Sequence, residues 1–264
     1  MVKEAGPEKM AIIQFVLALI LLGVLYVRMI RREEPERISR AQAIVPVVLG
    51  AVSVPLSFGL FLGMGGLLLK AGMSFDHLPA AANSVLRAFF AAGLPEEISK
   101  LLLMLLSILI FRSRIRNVYE CVLIGAGIGM GFTLLEEFFY GSGGMTAIIR
   151  LVTVAAHMIF GMIMARHLGM AAYRKANKKS GVAVERLLAI VIPVIIHTIF
   201  DACTATNRML DSSDDAQQMI GIVIALAAMA ALFVLQIVII RGFKRKTVEY
   251  CGFMTVDTTE ENSK

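Results

Sequence analysis

The sequence predicts an all-α fold, a polytopic bundle of transmembrane helices. Of the 264 residues, 58% are hydrophobic and only 17% are charged, and the mean hydropathy is +0.77. A soluble domain usually has about a quarter of its residues charged. The apolar residues also form long runs, several of which approach or exceed the ~18–20 residues needed to cross a bilayer. These observations exclude an ordinary soluble enzyme, a disordered chain and a scaffold held by disulfides.

Seven apolar segments are predicted to cross the membrane. The loops between them are short, so we expect residues 1–246 to form one integral-membrane domain and residues 247–264 to form a disordered tail. Small residues recur at close spacing from Gly125 to Gly131, which favours close packing of neighbouring helices. The seven segments span roughly residues 10–27, 42–69, 82–111, 118–140, 147–167, 185–206 and 217–240.

The positive charges are distributed unevenly between the two sides of the predicted membrane. Of the 26 lysines and arginines, 19 fall on one side and five on the other, while Arg87 and Lys100 lie inside the third segment. Because loops rich in Lys and Arg stay in the cytoplasm, this asymmetry predicts an external N-terminus and a cytoplasmic C-terminus. The net charge of +6 is therefore an orientation signal, and nucleic acid is not an expected partner.

Ionisable residues inside the predicted spans indicate a buried site. A charged side chain at mid-membrane costs at least ~2.5–3.5 kcal/mol on insertion scales, so each one requires a reason. Such residues occur on four consecutive segments, which carry Glu96, Glu97 and Lys100 (third), Glu136 and Glu137 (fourth), His157 (fifth), and His197 and Asp201 (sixth).

The depths of these residues predict that most of them share one layer. At ~1.5 Å per helical residue, measured from the cytoplasmic basic residues, Glu97, His157 and His197 lie at similar depth. The same measure places Glu136 nearer the external face. Lys100 follows Glu97 by three residues, so an ion pair is expected to reduce the cost of burying both charges. Asp201 is one turn from His197 and could orient its ring by accepting an N–H.

Glutamate and histidine at one site support two kinds of chemistry. They can hold a divalent metal such as zinc, or they can supply a general base and oxyanion stabilisation without metal. Either arrangement could activate water for peptide hydrolysis within the membrane. The alternatives to a reactive site are purely structural roles. These are a structural ion pair, interhelical hydrogen bonds from the histidines, and an interfacial position for Glu136 or Glu137.

A transporter is the main alternative class, because the same residue types build proton or cation relays. A relay predicts a continuous polar path across several depths, whereas a hydrolytic site predicts one compact layer. Between Lys100 and Arg112 the third segment has only Ser107 as a polar residue, and nothing ionisable lies between His157 and Arg166. This pattern favours the hydrolase.

Four motifs resemble those of the PrsW-type intramembrane proteases, a family related to the CAAX prenyl endopeptidases (the CPBP membrane proteases). Glu96-Glu97-Ile-Ser-Lys100 resembles their EExxK motif, and Gly131 to Tyr140 is similar to G-F-x-x-x-E-N-x-x-Y, with Glu137 in place of Asn. His157-Met-Ile-Phe160 and His197-Thr-Ile-Phe-Asp201 resemble the H-x-x-F and H-x-x-x-D motifs. The order agrees across roughly residues 80–205, and the resemblance implies a catalytic core over about 80–206.

The resemblance implies an intramembrane endopeptidase of the bacterial cell membrane. Its substrate would be a membrane-anchored anti-sigma factor in an envelope-stress pathway. Glu97, His157 and His197 would be the ligands of a divalent metal, most simply zinc, although a glutamic mechanism stays open, as does the choice between Glu136 and Glu137. The implied catalytic residues are Glu96, Glu97, His157 and His197, supported by Lys100, Glu136, Tyr140 and Asp201.

Overall fold

The computed structural model describes residues 7–31, 38–139 and 150–246, and the regular structure in these ranges is helical, with no strand. A helical turn at 150–153 precedes the sixth helix. The elements in chain order are α1 (Pro7–Ile30), α2 (Arg40–Lys70), α3 (Ala80–Ala88), a π-helical segment (Phe89–Gly93), α4 (Leu94–Phe111), α5 (Val118–Phe139), α6 (Ala156–Ala176), α7 (Val182–Cys203) and α8 (Asp215–Lys246).

The predicted multi-pass helical architecture is confirmed. Within the described ranges, six helices are long and apolar enough to cross a membrane. The remaining predicted span corresponds to α3, the π-helical segment and α4, which follow one another without a break over residues 80–111. The apolar run of α4 is interrupted by its charged residues, Glu96, Glu97 and Lys100. The orientation in the membrane stays a prediction, and so does the tail, because residues 247–264 lie outside the described ranges.

Local sequence signals shape the segment that carries the first glutamates. In the π-helical segment the Leu94 N–H donates to Phe89 O, five residues back, which widens the helix for one turn. Pro95, which has no N–H to donate, follows directly after this widened turn, at the beginning of α4. Pro79 is the residue that precedes the first residue of α3. Glu96 and Glu97 therefore stand directly after a helical irregularity, a feature that is frequent at functional sites.

Helix α5 lies at the centre of the bundle. In the apolar segment of α5, 89% is buried inside the protein. The corresponding share for α8 is 11%, so most of the surface of α8 is directed away from the protein. Close packing around α5 depends on glycine, as the small-residue pattern predicts. A Cβ on Gly125 would overlap the main chain at Gly161, and one on Gly131 would overlap the main chain of α2 at Val47.

The same close packing positions the site. A Cβ on Gly129 would overlap the main chain of α6 at His157 and Met158, so α5 and α6 touch backbone to backbone at this level. Glu136 is two turns further along α5, on the way to the predicted external end. Glycine contact between these helices therefore brings the Glu136 carboxylate within reach of the His157 ring.

Candidate functional site

A cavity of about 520 Å³ opens among α4, α5, α6, α7 and α8. Apolar side chains such as Phe160, Phe200 and Met229 form part of its wall. The ionisable residues that line it come from five separate stretches of the chain and are Glu96, Glu136, Glu137, Arg150, His157, His197 and Asp201.

Glu96 faces both histidines across this cavity. Its Oε2 atom lies 3.9 Å from His157 Nδ1 and 3.8 Å from His197 Nε2. This oxygen is buried and accepts no hydrogen bond. One ligand atom from each of the three side chains can be chosen so that all lie within 4.8 Å of one another. Among the described residues, this group has the spacing that a bound metal ion needs.

Glu97 and Lys100 form a fully buried ion pair beside that group. Lys100 Nζ donates to Glu97 Oε1 at 2.7 Å, and both side chains have no exposed surface. The ammonium group also lies 3.5 Å from Glu96 Oε2 and 4.0 Å from the centre of the Phe132 ring. The ion pair predicted from the i, i+3 spacing is thus present, and the Lys100 ammonium group lies close to the carboxylates of both glutamates.

Glu97 also fixes the ring of His197. His197 Nδ1 donates to Glu97 Oε1 at 2.9 Å, so the other nitrogen, Nε2, carries the lone pair in the neutral ring. Asp201, predicted to orient this ring, lies 3.5 Å from the other nitrogen, Nε2. A carboxylate that holds one histidine nitrogen while the other is directed at a metal is the usual arrangement at metal sites.

His157 is held at both nitrogens. Lys100 Nζ lies 3.0 Å from Nδ1, and because an ammonium group can only donate, Nδ1 accepts. The proton is then on Nε2, which donates to Glu136 Oε2 at 2.8 Å. Helix depth placed Glu136 nearer the external face, but the structure brings it into direct contact with the cluster.

Glu137 has different partners from Glu136. Its Oε1 atom accepts from Arg150 Nε at 2.8 Å and lies 2.7 Å from Arg150 Nη2. Its Oε2 atom accepts from Gln14 of α1. The Arg150 Nη2 atom also lies 3.4 Å from Glu136 Oε1. One guanidinium group therefore contacts two consecutive carboxylates.

Arg150 and Gln14 are the site residues that sequence reasoning missed. Arg150 is one of the five cations on the predicted external side of the membrane. Its predicted position outside the membrane gave no reason to place it in the site. Gln14 had a usable signal, since it is a polar residue within the first apolar segment, and the structure buries it. Tyr140, predicted as a supporting residue, lies outside the described residues.

The donor set suits a divalent cation. With His197 neutral, three atoms with lone pairs, Glu96 Oε2, His197 Nε2 and Asp201 Oδ2, lie close together, an arrangement that a cation stabilises. Carboxylate oxygen and imidazole nitrogen are zinc ligands. The local charge is also unbalanced, because two permanent cations, Lys100 and Arg150, face five carboxylates, which are Glu96, Glu97, Glu136, Glu137 and Asp201.

The fold and the site together define a multi-pass membrane protein with a carboxylate–histidine centre buried among its spanning helices. A comparison with protein-family models identifies the family: residues 39–236 match the model described as PrsW family intramembrane metalloprotease. The chain belongs to this family. Helix α1 lies outside the matched residues.

Curated relatives agree with the family. The chain is 30% identical over 146 residues to a protein named Protease PrsW from Halalkalibacterium halodurans, an alignment covering 53% of this chain and 66% of that protein. Identity is 28% over 130 residues with the Shouchella clausii protein of the same name, and 30% over 119 residues with that of Bacillus subtilis. These cover 48% and 43% of this chain, and 55% and 52% of the relatives. The chain thus spans between about half and two thirds of these relatives' length. No solved structure matches significantly.

Proposed function

We propose that this protein is an intramembrane endopeptidase that hydrolyses a peptide bond of a membrane-anchored protein. The observation that carries the proposal is the buried Glu96 Oε2 atom, which accepts no hydrogen bond and faces two imidazoles across a cavity among membrane-spanning helices. The family and the name of the curated relatives, Protease PrsW, support the same activity. A cavity among the spans suits a substrate that is itself in or next to the membrane.

Glu96, His157 and His197 are the residues we propose as metal ligands, with zinc as the metal. A bound zinc ion would lower the pKa of its water to about 7 and polarise the scissile carbonyl. Glu97 accepts from Lys100 and His197 through Oε1, and its Oε2 atom is buried without a hydrogen-bond partner, but Glu97 does not belong to the group whose spacing suits a metal ion. We therefore propose that Glu97 orients His197 and balances the Lys100 charge.

One contact favours a metal-independent version of the same reaction. Lys100 Nζ lies at 3.0 Å from His157 Nδ1, so the ammonium group already takes the lone pair that a metal would use. In that version Glu96 accepts a proton from water. Donation by His197 to the developing oxyanion requires its ring to carry a proton on Nε2 as well as on Nδ1. Ligation by His157 through Nδ1 requires Lys100 to withdraw.

The polar network supports a hydrolase more than a transporter. Ser107 is the next polar residue along α4 after Lys100, and its hydroxyl is buried without a hydrogen-bond partner. A relay needs each group to pass a proton or ion to the next. The described contacts therefore stop at Lys100 on this side, as expected for a single reaction layer.

For the substrate we propose a membrane-anchored anti-sigma factor of a bacterial envelope-stress pathway. The support for this class is the motif resemblance over residues 80–205. We further propose that the N-terminus is external and that the C-terminus is cytoplasmic, from the distribution of Lys and Arg.

Cleavage products in membranes should depend on His197. We expect cells that express the wild-type protein to accumulate new N-termini from one or a few membrane proteins, and cells that express His197→Ala to lack them. Mass spectrometry of protein N-termini in isolated membranes measures this. Equal sets of N-termini in the two strains, at equal protein levels, would contradict the proposed activity.

Metal content should separate the two versions of the chemistry. We expect purified wild-type protein to bind about one zinc ion per chain, and Glu96→Gln or His197→Ala to lose most of it, because each removes a ligand. Elemental analysis after dialysis measures the stoichiometry, and Asp211→Asn, in the loop before α8, serves as the control. Cleavage that survives exhaustive chelation would refute the metal-dependent version and leave the glutamic one.

A further inference from the structure

We propose that Arg150, held by Glu137, which Gln14 of α1 holds in turn, is a positioning residue that fixes Glu136 against His157. The proposal rests on the proposed function only for its effect on cleavage. It assigns a role to α1, which lies outside the residues matched to the family.

The first step is the division of labour between the two consecutive glutamates. Glu136 Oε2 accepts from His157 Nε2 at 2.8 Å and is the carboxylate that touches the cluster. Glu137 is buried, and both of its oxygens are used by Arg150 and Gln14. The sequence left open which of Glu136 and Glu137 takes part. Their partners differ: Glu136 contacts the histidine, and Glu137 holds Arg150.

The second step is the link from Arg150 back to Glu136. Arg150 Nη2 lies 2.7 Å from Glu137 Oε1 and 3.4 Å from Glu136 Oε1. The shorter contact to Glu137 holds the guanidinium group in place, and the longer contact brings a positive charge to Glu136 Oε1, the oxygen that does not contact His157. A planar guanidinium with several donors suits this double role better than an ammonium group does.

The third step is the effect on the imidazole. A Glu136 carboxylate held by Arg150 presents Oε2 to His157 Nε2, which keeps the proton on Nε2 and the lone pair on Nδ1. The lone pair on Nδ1 faces Lys100 and Glu96. Arg150 therefore acts on the reacting groups through Glu136 and His157, without being a catalytic residue itself.

The anchor at α1 completes the chain of contacts. Gln14 is buried on the face of α1 that also carries Ala18 and Leu22, and it donates to Glu137. Ile20, on the same helix, is exposed. Movement of α1 would thus loosen Glu137 first, then Arg150 and Glu136.

Two variants with matched controls test the inference. Arg150→Gln should lower cleavage by about 10–100-fold, the usual cost of losing a partner that orients a site residue, and Gln14→Leu should lower it less. Arg150→Lys should keep more activity than Arg150→Gln because it retains the charge. Arg208→Gln, an arginine of the loop before α8, and Ile20→Ala on α1 should leave cleavage unchanged.

A spectroscopic readout distinguishes positioning from mere stability. The protein has four histidines, so ¹⁵N-histidine NMR of the purified protein can resolve His157, with His157→Asn for assignment. We expect the His157 signals to move in Arg150→Gln and Gln14→Leu while those of His77 and His167 stay. Unchanged His157 signals in both variants, or equal shifts in Arg208→Gln, would overturn the proposal. This measurement needs no substrate, so it decides the question even if no cleavage is found in the wild type.

Discussion

Replacement of Glu96 by glutamine is expected to lower cleavage by about 10²–10⁴-fold, the usual contribution of a group that handles the proton of the attacking water. Glutamine keeps the size of the side chain but has no negative charge, so it binds a cation poorly and cannot accept the proton. The change touches a side chain that lines the cavity and accepts no hydrogen bond through Oε2, so folding should be little affected.

The measurement is the rate at which a membrane-anchored reporter carrying the identified cleavage sequence is cut, at equal amounts of enzyme. Asp211→Asn, an exposed acidic residue outside the cluster, is the matched control. Glu97→Gln should reduce both activity and thermal stability, because Glu97 holds Lys100 and His197. If Glu96→Gln retains wild-type cleavage while Glu97→Gln alone is inactive, Glu97 is the group that acts on water and our assignment is reversed.

Replacement of Lys100 by methionine is expected to cost about 3–5 kcal/mol of stability, the usual result of removing one partner of a buried ion pair. Methionine fills a similar volume, but it leaves Glu97 fully buried without its cation and Glu96 with one fewer positive neighbour. The temperature of unfolding in detergent micelles measures the loss, and Lys70→Met, at the exposed end of α2, is the control.

A compensating change should separate charge from packing. Lys100→Met combined with Glu97→Gln removes both members of the pair, so the double variant should be more stable than Lys100→Met alone. It should not regain cleavage, since His197 loses the ionised carboxylate that holds its ring. If Lys100→Met unfolds at the wild-type temperature, the ion pair does not stabilise the fold in the way that we infer.

The positions of the spanning helices could be predicted because the bilayer imposes them. Every backbone N–H and C=O in the hydrocarbon region must be paired within the protein, which leaves the helix as the solution for long apolar segments. The predicted third span shows the limit of this reasoning. Its hydropathy indicates one continuous segment, but the π-helical turn before Pro95 is not visible in the apolar pattern.

The members of the site were largely predictable, and their partners were not. Glu96, Glu97, Lys100, His157 and His197 were identified because buried charges are costly and because their order resembles that of known motifs. Two contacts were not predicted: Glu97 accepts from His197 Nδ1, while Asp201 lies at the other nitrogen of that ring, and Glu136 reaches His157. Depth along each helix was known to within several Å only, since helix tilt is set by packing.

The sequence by itself therefore determined that the chain is a multi-pass helical membrane protein and which helices carry its ionisable groups, because the cost of burying charge and unpaired backbone is local. Only the tertiary structure decided which of those groups touch. The contact of Gly129 with α6 brings Glu136 to His157, and the burial of Gln14 ties α1 to Glu137 and Arg150. Such contacts depend on the rotation and spacing of whole helices, which result from many packing interactions at once and leave no signal at any single residue.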